Sequence, residues 1–437
     1  MSDDTSLDRP VVAELIERPI PPTIFSVAPP PPPPTPVTVA ERIDALDVLR
    51  GFALLGILVM NIQSFSMPGA AYMNPTAYGD LSGANYTVWH FSHLLVDMKF
   101  MAMFSMLFGA GIVLMSKRRE AAGAGAAGLH YRRMGILAGF GLLHAYLLWE
   151  GDILFAYAIC GMIVYPMRRL PPAALTVLGI AAISVASLIW LLTGWSMQFW
   201  PPESIGEIAA FWRPSPEELS AEIAAVQGGW FSAFQRRLPL SFFFQTQVLL
   251  TWGLWRAGGL MLIGMALAKW GVLYGRAAAW VYGFIVAAAI GIGLPVIYFG
   301  VLQQFAHNWS TEYGMFLGTQ YNYWASLMVS LGWIGAIMLA TKPNTGNRLA
   351  KPLAAVGRMA LTNYLLQTLI ATTIFYGYGF GLFGQVDRVG QIQVVLGIWG
   401  FQLAISPLWL HWFHFGPAEW LWRSLTYCRR QPLVREA

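Results

Sequence analysis

The sequence predicts an all-α, polytopic transmembrane helical bundle of about ten spans, with both termini in the cytoplasm. Three observations carry this. Of the 437 residues, 56% are hydrophobic and 11% charged, less than half the charged share of an average soluble domain. Apolar runs near the ~20 residues that a bilayer requires recur along the chain. Lysines and arginines gather in every second loop between those runs.

Taken in order, residues 1–40 carry Asp3 and Asp4, scattered prolines and no continuous apolar run, so no cleaved signal peptide is expected. Pro29 to Pro34 are consecutive prolines, which favour a polyproline II rod. This reads as a disordered cytoplasmic arm, either a plain spacer or a ligand for an aromatic groove. The first span runs from Val48 to Met67. Others follow at 86–115, 134–149, 152–167 and 172–194, completing an N-terminal half over 41–194. A second half over 241–415 holds spans at 241–268, 277–301, 320–340, 356–378 and 391–412, and residues 416–437 read as a basic cytoplasmic tail.

Orientation follows from loop charge. Lys117, Arg118, Arg119, Arg132 and Arg133 follow span two, Arg168 and Arg169 span four, and Lys269 and Arg276 span six. Lys342, Arg348 and Lys351 follow span eight; Arg423, Arg429, Arg430 and Arg435 follow span ten. The loops around 68–85, 150–151 and 302–319 contain neither lysine nor arginine. Such alternation places both ends inside.

One long outer segment, 195–240, carries a helix signal. Ser215-Pro-Glu-Glu218 supplies a cap, proline at the first helical position and glutamate at the third, and Gly228-Gly229 closes the helix. Trp195, Trp200, Trp212 and Trp230 suit a membrane–water interface. The segment is either a lid or an anchoring collar.

Polar residues inside apolar runs point to a site, because a charge at mid-bilayer costs roughly 2.5–3.5 kcal/mol on insertion scales. The stretch His144-Ala-Tyr-Leu-Leu-Trp-Glu-Gly-Asp152 leaves almost no loop between two spans and reads as the tip of a tight hairpin. His144 is suited to general-base work, since an imidazole titrates near working pH. Asp152 either caps span four or orients His144, and the two roles are compatible. Lys99 either snorkels, balances Asp152 or holds an anionic group. Asn61 and Arg256 add polar groups at intermediate depth. At the inner end, Arg358 with Thr362 and Asn363 with Gln367 are four apart on helix faces. Arg50 and Arg358 offer guanidinium forks suited to phosphate, or act as positive-inside anchors.

His90, His93 and Asp97 share one face, which reads as a metal half-site, a His–Asp base pair or solvated histidines near the outer boundary. It falls short of a zinc spacing with its remaining ligands, and no metal is expected. Cys160 and Cys428 form no disulfide framework. The net charge of +5 serves topology, and no nucleic-acid motif accompanies it.

The combined segments resemble the YeiB-like family of bacterial inner-membrane proteins, whose C-terminal half is domain-of-unknown-function family 418. The matching stretches are Leu46-Asp-Val-Leu-Arg-Gly-Phe-Ala-Leu-Leu-Gly-Ile-Leu58 with Asn61, Lys99-Phe100, Leu107-Phe-Gly-Ala-Gly111, and His144 with Gly151-Asp-Ile-Leu154. Gly357-Arg-Met-Ala-Leu-Thr-Asn-Tyr-Leu-Leu-Gln367 and Gly416-Pro-Ala-Glu-Trp-Leu-Trp-Arg-Ser-Leu-Thr426 match in the second half. The proline arm, His90 and His93 lie outside this pattern.

The N-terminal half is in turn similar to membrane acyltransferases such as the lysosomal heparan-α-glucosaminide N-acetyltransferase. That resemblance implies transfer of an acyl group from cytoplasmic acyl-CoA to an extracytoplasmic glycan or lipid headgroup. Asn61 would polarise the acyl carbonyl, His144 would be the base oriented by Asp152, and Arg50, Arg358 and Asn363 would bind the donor. In that enzyme the catalytic histidine precedes span two, where this chain offers His90 or His93, so His144 departs from its pattern. Expected partners are membrane lipids and the acceptor, with a homodimer as one assembly. A transporter of a small anion or amphiphile, or a non-catalytic sensor, uses the same buried polar groups differently.

Overall fold

The structure, a computed structural model, describes residues 44–341 and 350–435. The proline-rich arm, Lys342 and Arg348 lie outside the described residues. The described chain is built of helices: α1 (Asp44–Ser66), α2 (Ala70–Met73), α3 (Gly83–Leu95), α4 (Lys99–Ala121), α5 (Ala127–Leu147) and α6 (Leu154–Val164) come first. Then follow α7 (Pro172–Ser196), α8 (Pro202–Trp212), α9 (Pro216–Gln227), α10 (Trp230–Phe243), α11 (Leu254–Lys269) and α12 (Ala279–Ala288). The last third holds α13 (Leu294–Ala306), α14 (Gln320–Ala340), α15 (Ala350–Arg358), α16 (Ala360–Phe375), α17 (Arg388–Trp412) and α18 (Pro417–Tyr427). Wider π-helical turns at Phe244–Gly253 and Ala289–Gly293 join α10 to α11 and α12 to α13. Among the described residues, seven helical runs are long and apolar enough to cross a membrane.

Small residues set how closely the central helices approach. A Cβ on Gly109 would lie 2.0 Å from the Met261 carbonyl oxygen, and one on Gly264 1.9 Å from that of Met106. Backbones of α4 and α11 therefore touch, the packing that glycine permits between apolar helices. The same device joins α1 to α15: a Cβ on Gly51 would meet the Leu353 oxygen at 2.0 Å, and one on Gly357 the Asp47 oxygen at 1.9 Å. This second crossing holds Arg50 beside Arg358.

Three expectations change at this level. The span expected at 86–115 is two helices, broken at Val96–Met98 with Met98 at φ 63°. The break frees the carbonyls of His93 and Leu95, and Lys99 Nζ and Trp333 Nε1 donate to them at 2.6 and 2.9 Å. The span expected at 356–378 is interrupted at Met359, so Arg358 ends one helix and Thr362 belongs to the next.

The segment expected as a basic tail instead folds back as α18. Its Glu419 carboxylate accepts from the Leu361 and Thr362 N–H groups at 2.6 and 3.1 Å, capping the start of α16. Trp422 Nε1 donates to the Arg133 carbonyl at 3.0 Å. Burial raises the Glu419 carboxyl above the ordinary carboxylate range, with the Thr362 hydroxyl and the backbone N–H groups pulling the other way.

The 195–240 segment forms α8, α9 and most of α10. The box written as Ser215-Pro-Glu-Glu218 is present in both directions: Ser215 N donates to Glu218 at 2.7 Å and Glu218 N to Ser215 at 3.2 Å. Gly229, at φ 95°, makes the turn from α9 into α10, a conformation that glycine adopts easily.

Candidate functional site

The site begins at the α5–α6 hairpin. Helix α6 has 11 residues, about 16 Å at 1.5 Å each, so by itself it falls short of the ~30 Å hydrocarbon core. The tip is correspondingly buried, with Trp149 and Glu150 inside the protein. Helix α10 covers it. The Arg237 guanidinium donates to the carbonyls of Tyr146, Leu147 and Leu148 at 3.1, 3.1 and 2.8 Å, satisfying the orphan acceptors of a helix C-terminus and complementing its dipole. Neighbouring Arg236 pairs with Glu150 at 3.0 Å and with Glu222.

Gly141 brings the two helices together at the right height. A Cβ there would lie 2.3 Å from the Phe155 nitrogen and 2.8 Å from Asp152 Oδ2. Gly151 does not adopt a positive φ; its need is space, since a Cβ would sit 2.3 Å from the Trp149 ring.

One turn beyond Gly141, His144 Nδ1 meets Asp152 Oδ1 at 2.9 Å, and both side chains are 1% exposed. Asp152 Oδ2 accepts from the Phe155 N–H at 2.9 Å. The other ring nitrogen, Nε2, lies 2.9 Å from Thr368 Oγ1 on α16. In the tautomer that donates Nδ1–H to Asp152, Nε2 is the acceptor for the threonine hydroxyl. The Tyr364 ring packs 5.0 Å from the imidazole, and its hydroxyl accepts from the Ile153 N–H at 3.4 Å.

Behind Tyr364 opens a cavity of about 730 Å³. Its apolar walls include Leu54, Ile57, Phe104, Phe108, Leu137 and Leu154, and Ile153, Tyr157 and Tyr364 line it on the side of the α5–α6 hairpin. Six arginines line the opposite part: Arg50, Arg118, Arg119, Arg133, Arg358 and Arg423, against the acids Asp47 and Glu419. Arg50 Nη1 donates to Asp47 at 2.7 Å and to the Gly357 carbonyl at 3.4 Å. The Arg133 guanidinium lies 4.3 Å over the Trp422 ring and that of Arg423 4.6 Å over Phe415. Apolar walls with a cationic collar at one end suit an anionic amphiphile.

The structure thus brings together His144 and Asp152, and separately Arg50 and Arg358. The other expected residues go elsewhere. Asn61 is half-buried on α1, one turn past Ile57 and outside the cavity lining. Asn363 donates to the Val356 carbonyl at 3.2 Å and to Ser406 at 3.0 Å, within the α16–α17 packing. Lys99 does not balance Asp152; it donates to Asn322 at 2.6 Å, and Asn322 donates to Asp97 at 2.7 Å. Arg256 donates to the Tyr323 carbonyl and to Ser326 at 2.8 and 2.7 Å. Asp97 lies past the end of α3 and contacts His93 Nδ1 at 3.2 Å; among the described residues no three His, Cys, Asp or Glu side chains converge.

Sequence reasoning missed Thr368 and Tyr364, whose signal is a hydroxyl pair four apart on one helix face. It also missed Arg118, Arg119, Arg133 and Arg423, whose charge was fully accounted for by topology.

Fold and site together define a helical membrane protein with a deep, arginine-collared cavity. The chain belongs to the YeiB-like family. The family described as "Protein of unknown function (DUF418)" matches residues 267–429. The uncharacterized protein YeiB of Escherichia coli is 33% identical, covering 90% of this chain and 98% of the relative. The uncharacterized protein YxaH of Bacillus subtilis is 29% identical, covering 92% and 98% respectively.

Proposed function

We propose that this protein is a transmembrane acyltransferase of the bacterial inner membrane, taking its acyl group from cytoplasmic acyl-CoA. The observation that supports this best is the cavity, whose arginine collar and apolar depth end one aromatic ring away from the His144–Asp152 pair. In this reading the chain makes ten passes with both termini in the cytoplasm, so the collar faces the donor. Arg50 and Arg358, with the four further arginines, hold the donor phosphates through charge-assisted bonds. The acyl chain and thioester lie along Leu54, Phe104 and Leu137 toward Tyr364. His144 is the base, held in one tautomer by Asp152. The acceptor is a glycan or lipid headgroup on the outer side. Asn61 has no part in this scheme, because it stands away from the cavity.

The test is purified full-length protein in lipid nanodiscs, given radiolabelled acetyl-CoA. Release of free CoA thiol that depends on His144 is the expected result; binding without any release would leave the cavity to a carrier. The carrier reading draws on one observation: both imidazole nitrogens already have partners, and Tyr364 separates them from the cavity.

A further inference from the structure

We infer that Thr368 is the nucleophile of this site and carries the acyl group as a threonyl ester between donor and acceptor. The inference rests on the acyltransferase reading and adds to it a covalent intermediate on a named atom.

Hydroxyls in apolar helices ordinarily bond back to the carbonyl four residues earlier. On α16 itself Thr373 does so, donating to the Leu369 carbonyl at 2.7 Å, and Ser66 and Thr193 on other helices do the same at 2.7 Å. Thr368 keeps this bond only in a long form, donating to the Tyr364 carbonyl at 3.5 Å, while its close partner is His144 Nε2 at 2.9 Å. Asp152, His144 and Thr368 therefore form a continuous line of orienter, base and hydroxyl, the arrangement that activates a weak nucleophile. The residue is fully buried, so the hydroxyl and the imidazole face each other away from water.

Topology supplies the second argument. Tyr364 lines the cavity whereas His144 and Thr368 do not, so a donor held in the cavity stays on the collar's side of that ring. Thr368 sits four residues beyond Tyr364 on the same face of α16, about 6 Å along the axis. An acyl group bound there has left the donor compartment.

The chemistry balances with what is present. Thr368 gives its hydroxyl proton to His144 Nε2 as Oγ1 attacks the thioester carbonyl. The C–S bond breaks, and the CoA thiolate leaves with the proton from the imidazolium, giving the free thiol and an ester on Oγ1. An acceptor hydroxyl then gives its proton to His144 and attacks the ester carbon. The bond to Oγ1 breaks, and Oγ1 recovers a proton from the imidazolium. Rotation of the Tyr364 ring opens the way for the first step.

The experiment uses the full chain in nanodiscs with radiolabelled acetyl-CoA and no acceptor, quenched after one turnover and mapped by peptide mass spectrometry. The expected result is label on Thr368, stable to neutral hydroxylamine and released by alkaline hydroxylamine, as an oxygen ester behaves. Thr368→Ser should keep the label, and Thr368→Val should abolish it and lower turnover about a thousandfold at unchanged melting temperature. Turnover with no label, with label on His144, or undiminished in Thr368→Val overturns the inference and leaves the acyltransferase standing. A wild-type protein that releases no CoA removes both.

Discussion

Asp152 holds His144 with one carboxylate oxygen and the first turn of α6 with the other, each bond 2.9 Å long. Capping and orienting are thus simultaneous, and two substitutions separate them. In Asp152→Asn the amide oxygen still caps, but the imidazole loses its tautomer, so turnover should fall about a thousandfold while the melting temperature holds. Asp152→Ala should lose the activity and also about 1 kcal/mol of cap stability. Turnover and thermal melts of both variants decide the point; a silent Asp152→Asn would reduce Asp152 to a cap.

The collar arginines should govern donor affinity. Arg358→Ala is expected to weaken binding of a CoA thioester about tenfold, close to 1.4 kcal/mol. Arg358→Lys should recover part of that loss, because a point charge replaces a planar fork. Arg50→Ala should weaken binding too, and it also releases Asp47 and the Gly357 carbonyl, to which Arg50 donates. Calorimetric titration at two salt concentrations is the check, with weaker binding at high salt. Unchanged affinity in the double alanine variant would leave both arginines as topology anchors.

Two glycines of one motif should behave oppositely. A Cβ on Gly109 meets the Met261 backbone at 2.0 Å, whereas one on Gly111 meets nothing within 4 Å. Gly109→Ala must push α4 off α11 and should lower stability by about 1–3 kcal/mol, the usual cost of an overpacked core. Gly111→Ala should fold normally. Because Gly111 lines the cavity, Gly111→Trp should block donor binding in a protein that still folds. Melting curves and binding of the three variants test this.

Glu419 predicts a pH dependence. Its carboxyl is held above the ordinary range chiefly by burial, so the folded protein binds that proton more tightly than the unfolded chain. Its contribution to stability is greatest below the unfolded value, near 4.3, and is lost as pH rises through the folded one. Glu419→Gln should flatten this fall. A slope of melting temperature against pH that is identical in wild type and variant would contradict the assignment.

The helices were legible in sequence because apolar length is a local property, and so was the capping box at Ser215, whose partners lie three residues apart. The His144–Asp152 pair was legible because a short loop forces its neighbours together. Thr368 was not, since its bond to His144 crosses 224 residues. The collar was hidden for a different reason. Positive-inside bias accounts for every arginine individually, and only packing shows that Arg118, Arg133 and Arg423 face one space. Lys99 misled because a buried lysine usually signals a ligand, whereas here it satisfies a carbonyl freed by a helix break.

The close crossing of α1 and α15 has a consequence for biosynthesis. Asp47 and Arg50 leave the ribosome long before Gly357, Glu419 and Arg423, which complete the collar. At 5–20 residues per second the wait is on the order of tens of seconds. During that interval α1 sits in lipid with a bare glycine face and an ionised arginine. The bond from Arg50 to Asp47, three residues earlier on the same helix, supplies a counter-charge that needs no other part of the chain. The first helix therefore carries its own temporary partner, and the later helices arrive to find the guanidinium already neutralised and in place.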